Sequence, residues 1–196
     1  NCLDWICAVT NTSIADTLNN VESFYNDKTS IKNSSYFLPY LSGERTPHND
    51  PHIRGSFHSI KTKTNAADLQ YAVIEGVSFG ILDGVNSILK VNNNFDNIFM
   101  VGGGSKSSFW IELLASLLNR KLSVCDQSEF SAALGVARLA MYLDDTIDNK
   151  KDIVSEIKIN TTYEPNKDHI DLLLKRYSNW KDLYNSNNKI AQNLNS

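Results

Sequence analysis

The 196 residues carry 41% hydrophobic and 21% charged side chains, an ordinary balance for one folded domain with a real core. A net charge of -3 without a basic stripe gives no electrostatic case for nucleic acid, and the apolar runs fall well short of the ~20 residues that cross a bilayer. Cys2, Cys7 and Cys125 lack metal-ligand spacing and fit reduced thiols in a cytoplasmic protein.

The chain opens at Asn1 without a Met and enters a helix-like run at once, so a piece of something longer is expected. Residues 2–9 and 14–27 predict two helices, the second with Ile14, Leu18, Val21 and Phe24 or Tyr25 on one face. Tyr36 to Leu41 predicts a short strand that Pro39 keeps from a central position. Residues 42–52 are rich in turn formers and predict a loop. Its Glu44, Arg45, His48 and Asp50 admit two readings, a set facing a cleft or a network that holds the loop. Pro51 separates His48 from His52, so no regular helix aligns them and no metal site is expected. A second short strand is predicted over 55–60.

Residues 65–91 predict the longest helix, with Asn65 as N-cap, Asp68 in the first turn and Leu69, Val73, Val77, Ile81, Val85 and Leu89 recurring at helical spacing. Gly76, Gly80 and Gly84 line one side of it, where a close packing contact would explain their cost of about 1 kcal/mol each against Ala. The pattern then runs strand (97–101), glycine turn, helix (107–119), strand (121–125), loop and helix (131–143), a succession that argues for an α/β domain. A last helix over 168–186 places Ile170, Leu173, Leu174, Tyr177, Trp180, Leu183 and Tyr184 on one face.

The turn carries the most chemistry. Gly102, Gly103 and Gly104 interrupt a β-favouring run and precede Ser105, Lys106, Ser107 and a helix. Bare glycine backbone admits a ligand closely, and a helix N-terminus suits a phosphate through unpaired N–H groups and dipole. A tight turn without a ligand fits the residues equally. Ser105 stands where Gly-x-x-x-x-Gly-Lys-Ser/Thr needs its second glycine, and Ser107 stands where Gly-x-Gly-x-x-Gly needs its third. Both familiar phosphate motifs are therefore excluded.

In order along the chain, Pro39 to Pro51 with Arg54-Gly55-x-Phe57, Glu75 to Phe79, Gly102 to Ser105, and Ala133 to Ala140 resemble the C-terminal half of the FGGY carbohydrate kinases. The stretches Leu41 to His48 and Ala133 to Ala140 are similar to the xylulose-phosphorylating branch more than to the glycerol or gluconate branches. Ser59 replaces a usual glycine, and Ser131-Ala132 replaces a usual Gly-Pro or Ser-Thr.

The resemblance implies an actin-like (ribonuclease H-like) ATPase domain of α/β class, of the sugar kinase, hexokinase and actin type, incomplete at its N-terminus. It implies a single C-terminal domain piece with a core over 1–148, a connecting segment over 149–167, a packed helix over 168–186 and a frayed tail over 187–196. Gly102, Gly103, Gly104, Ser105 and Ser107 would lie against ATP or ADP, and Asp4 would face the nucleoside. The catalytic Asp, most magnesium ligands and the ketose site would lie upstream, leaving no catalytic residue here and an inactive piece. A cleft face left bare would also leave self-association as a homodimer open.

Overall fold

The computed structural model describes residues 1–91, 97–126, 131–144, 153 and 158–194. Three helices open the chain rather than two: α1 (Cys2–Thr10), α2 (Ile14–Tyr25) and α3 (Lys28–Asn33). Side chains of Asn1, Ser13 and Asp27 accept bonds from the Cys2, Asp16 and Thr29 amides and so cap the three starts. Asp27 sits in extended backbone, φ -104, so the helix expected over 14–27 ends at Tyr25 and α3, which the sequence pattern did not predict, starts just beyond it.

Strands β1 (Tyr36–Leu38) and β2 (Ser56–His58) pair antiparallel as a two-stranded sheet, with Phe37 opposite Phe57. β1 stops before Pro39, which has no N–H for the ladder. The loop between them is closed by a bridge from Glu44 to Asp50.

Helix α4 (Ala66–Leu89) is the central pillar, started by Asn65, whose Oδ1 accepts from the Asp68 amide at 3.1 Å. Gln70 to Gly76 are all buried, so the helix is enclosed on every side there. The expected stripe holds at Val73, but Ile81 is exposed, and Tyr71, Ile74, Phe79 and Leu82 enter the core instead. A four-residue repeat advances about 40° per step around a helix, so the stripe turns off the buried face. A Cβ on Gly76 would lie 2.3 Å from the Phe37 carbonyl oxygen, whereas Gly80 only approaches Pro39 at 3.8 Å and Gly84 has nothing within 4 Å. Close packing explains the first glycine alone. Contrary to the sequence expectation, α4 is long and apolar enough to cross a membrane by length and composition. Its buried Gln70 and Glu75, each with protein hydrogen-bond partners, mark it as a core helix here.

The second half runs β3 (Phe99–Met100), a 3-10 turn (Gly103–Lys106), α5 (Ser108–Leu118), β4 (Leu122–Cys125), α6 (Ser131–Leu143), β5 (Ile159–Tyr163) and α7 (Lys167–Leu194). β4 is the middle strand of a three-stranded sheet, parallel to β3 and antiparallel to β5. β5 falls in the span expected to be a connection. Its residues Ile159 to Thr162 are exposed and polar-rich, so only pairing with β4 makes it a strand. α7 continues to Leu194 through the span expected to fray. Leu173, Tyr177, Trp180 and Tyr184 of α7 share one core with Tyr71, Ile74 and Phe79 of α4 and with Phe109, Leu113 and Leu117 of α5. Leu174, expected on that face, is exposed, and Arg176 is buried in its stead.

Candidate nucleotide-binding turn

The backbone leaves β3 and turns at Gly102, φ 82 and ψ -168, a region essentially reserved for glycine. Ser105 closes the turn by donating from both its N and its Oγ to the Gly102 carbonyl, at 3.1 and 2.7 Å. The Ser107 amide donates to the Gly104 carbonyl at 3.2 Å, and its Oγ accepts from the Trp110 amide at 3.3 Å, capping α5. A hydroxyl that accepts such a bond keeps its proton to donate to a ligand.

Gly102 and Gly103 face open space, with no atom within 4 Å of a built Cβ. Gly104 is walled by Met100 and Trp110, whose atoms would lie 2.9 and 3.7 Å from its Cβ. The turn therefore offers bare main chain next to the positive end of an eleven-residue helix. That geometry fits a phosphate or the flat face of a nucleoside, and brings together Gly102, Gly103, Gly104, Ser105 and Ser107.

Asp4 stands on the first turn of α1, exposed and 2.6 Å from the amino group of Asn1. What the structure shows of Asp4 is local helix capping.

The charged loop is a network. Glu44 Oε2 accepts from the His48 and Asn49 amides at 2.7 and 3.1 Å, and Asp50 Oδ1 from the His52 and Ile53 amides at 2.9 and 3.0 Å. The His48 ring stacks on Tyr184 at 3.7 Å, and its Nε2 stands 3.1 Å from Asp83 at an angle poor for a hydrogen bond. Tyr184 donates to Asp50 at 3.4 Å, and burial pushes its hydroxyl up to about 12, so it remains a donor. Arg45 is exposed, while Arg54 donates to the Pro51 and Ile53 carbonyls at 2.8 Å.

Sequence reasoning missed Trp110 and Ser78, which join the turn to α4 through a bond of 2.9 Å from the indole Nε1 to the Ser78 hydroxyl. Thirty-two positions separate them, and nothing in local spacing pairs an indole with a serine that far away.

Residues 1–143 match the model of the C-terminal domain of the FGGY family of carbohydrate kinases. The chain is 34% identical to xylulose kinase from Staphylococcus epidermidis over 163 residues, which cover 83% of this chain and 33% of that protein. Among solved structures it is similar to a xylulose kinase from Brucella ovis, with a TM-score of 0.80 and 29% identity over 96% of this chain and 38% of that one. It is also similar to gluconate kinase from Lactobacillus acidophilus, with a TM-score of 0.75 and 26% identity over 94% of this chain and 37% of that one. The chain thus spans about a third of the length of the curated relative. With the glycine turn, the α/β core and the matched residues in agreement, the chain belongs to the FGGY family of carbohydrate kinases, as its C-terminal, actin-like domain.

Proposed function

We propose that this chain is the nucleotide-binding portion of an ATP-dependent sugar kinase that phosphorylates D-xylulose to xylulose 5-phosphate. The observation that carries the reading is the open backbone at Gly102 and Gly103 beside the N-terminus of α5. ATP would supply the transferred phosphoryl group when bound, accompanied by Mg2+ whose ligands lie mainly outside this chain. The turn's part is to hold and orient the nucleotide: Gly102 to Gly104 by close approach, Ser105 by keeping the turn closed, Ser107 by its remaining hydroxyl proton. Asp4 belongs to the proposed set as the residue facing the nucleoside, on the strength of the resemblance alone. Positioning of this kind is most of what a phosphoryl-transfer enzyme's protein contributes.

D-Xylulose is favoured because the similar proteins from Staphylococcus epidermidis and Brucella ovis are xylulose kinases. The likeness to a gluconate kinase favours a second reading, another sugar or polyol on the same nucleotide site. A cytoplasmic location goes with either, in keeping with three free cysteines.

Turnover by the full-length protein with ATP, compared across D-xylulose, D-ribulose, gluconate and glycerol, tests this. The highest kcat/KM on D-xylulose is expected, with no turnover by residues 1–196 alone. A higher kcat/KM on gluconate or glycerol would move the assignment to the second reading. Failure to turn over any of them, with ADP binding intact, would leave a nucleotide-binding protein without catalysis.

A further inference from the structure

We propose that Trp110 is a positioning residue for nucleotide binding, tethering the glycine turn to the buried helix α4; this rests on the reading of that turn as the nucleotide site. Three features of one residue make the tether. Its amide donates to the Ser107 Oγ, its ring lies under Gly104, and its indole Nε1 donates to the Ser78 Oγ at 2.9 Å. Ser78 is wholly buried and donates in turn to the Ile74 carbonyl at 2.8 Å, so the chain of bonds ends in the most enclosed part of the molecule.

The turn needs such an anchor. Nothing packs beside the Cβ positions of Gly102 and Gly103, and glycine loses more conformational freedom on ordering than any other residue. A turn that must be ordered by its ligand binds it more weakly than one already held in place. Ser78 is a fitting anchor because its hydroxyl gives its proton to the Ile74 carbonyl, which orients its oxygen as an acceptor for the indole.

The test uses Trp110→Phe, Ser78→Ala and the double variant in the full-length protein, with ADP affinity by calorimetry and KM for ATP and sugar. Loss of one hydrogen bond should raise ADP Kd and ATP KM about three- to tenfold in each single variant, with the sugar KM unchanged. The double variant should be no worse than either single one, because both remove the same bond. Variants that lower thermal stability yet keep wild-type ADP affinity would overturn the proposal and leave Trp110 a packing residue. Effects that add in the double variant would overturn it too. Should Trp110→Phe fail to fold, Ser78→Ala decides alone, since it keeps the indole ring. Gly103→Val is the separate control: if it leaves ADP affinity unchanged, the nucleotide reading of the turn itself has failed and the proposal falls with it.

Discussion

Arg176 grips Glu75 through two nitrogens, Nε to Oε1 at 2.7 Å and Nη2 to Oε2 at 2.6 Å, across 101 positions of sequence. The two side chains are 3% and 1% exposed, which makes this a fully desolvated pair. Nη1 and Nη2 also donate to the Ser34 and Ser35 carbonyls, Tyr71 donates to Oε1, and the guanidinium lies 4.2 Å from the Tyr36 ring centroid. Four of the five guanidinium N–H groups and both carboxylate oxygens are bonded, so α4, α7 and the entry to β1 are fixed to one another at this point. Removing one partner strands the other charge in the core. Arg176→Met is therefore expected to cost about 3–5 kcal/mol in urea unfolding, and Glu75→Leu a similar amount. The double variant should lose less than the sum, because neither charge is then left alone.

Gly76 and Gly84 make opposite predictions from the same residue type. A methyl group at Gly76 would collide with the Phe37 carbonyl oxygen, a backbone atom that moves only if β1 moves. Gly76→Ala should destabilise by about 1–3 kcal/mol or more. Gly84 meets nothing within 4 Å and lies in a helix interior, so Gly84→Ala should gain roughly 0.4–1 kcal/mol. Thermal melts of the two variants beside the parent settle both signs.

These contrasts also mark what local sequence can disclose. The Asn65 cap, the length of α4 and the strand–turn–helix around Gly102 were legible because each depends on residues within a few positions. Gly76, Gly80 and Gly84 looked alike, since the atom that separates them, the Phe37 oxygen, belongs to another element. Nothing in local spacing pairs Glu75 with Arg176, which stand 101 positions apart on two helices. β5 was illegible for a related reason: Ile159-Asn160-Thr161-Thr162 has no buried face and is a strand by pairing alone. In the candidate site, the glycines announced the turn, while the Trp110–Ser78 tether depends on how α5 sits against α4.

His169 should make the fold sensitive to acid. It is 6% exposed, packs edge-on to Tyr25 at 4.3 Å, and its Nδ1 has no partner among the described residues. Burial, then the charge of Lys28, pushes its pKa below the ordinary 6.5. His58 is lowered too, by burial. The unfolded chain therefore takes up these protons first, so stability falls as the pH drops below about 6.5 and continues to fall until the folded-state values are passed. Above the unfolded value the penalty is absent. Urea midpoints at about pH 7.5 and about pH 5 should differ in the parent, and His169→Phe should narrow that difference. An equal difference in His169→Phe would assign the acid sensitivity elsewhere.

The glycines of the turn differ in what they do, and two substitutions separate the roles. Gly102 holds φ 82 and ψ -168, so any Cβ there is strained although the space around it is empty. Gly102→Ala should cost about 1–3 kcal/mol, drawn from the folded turn itself, and it should weaken ADP binding by reshaping the backbone. Gly103 has no positive φ and equal space, so the protein itself tolerates a side chain there. Gly103→Val should leave the melting temperature close to the parent and still weaken ADP binding, because its methyl groups occupy the room a nucleotide would use. Calorimetry and melts on both variants in the full-length protein give four numbers. A loss of affinity in Gly102→Ala alone would mean that a destabilised turn disturbs a site elsewhere and that the nucleotide does not lie on the turn. A loss in both, with stability reduced only in the first, is the pattern expected of a turn whose backbone is both the scaffold and the contact.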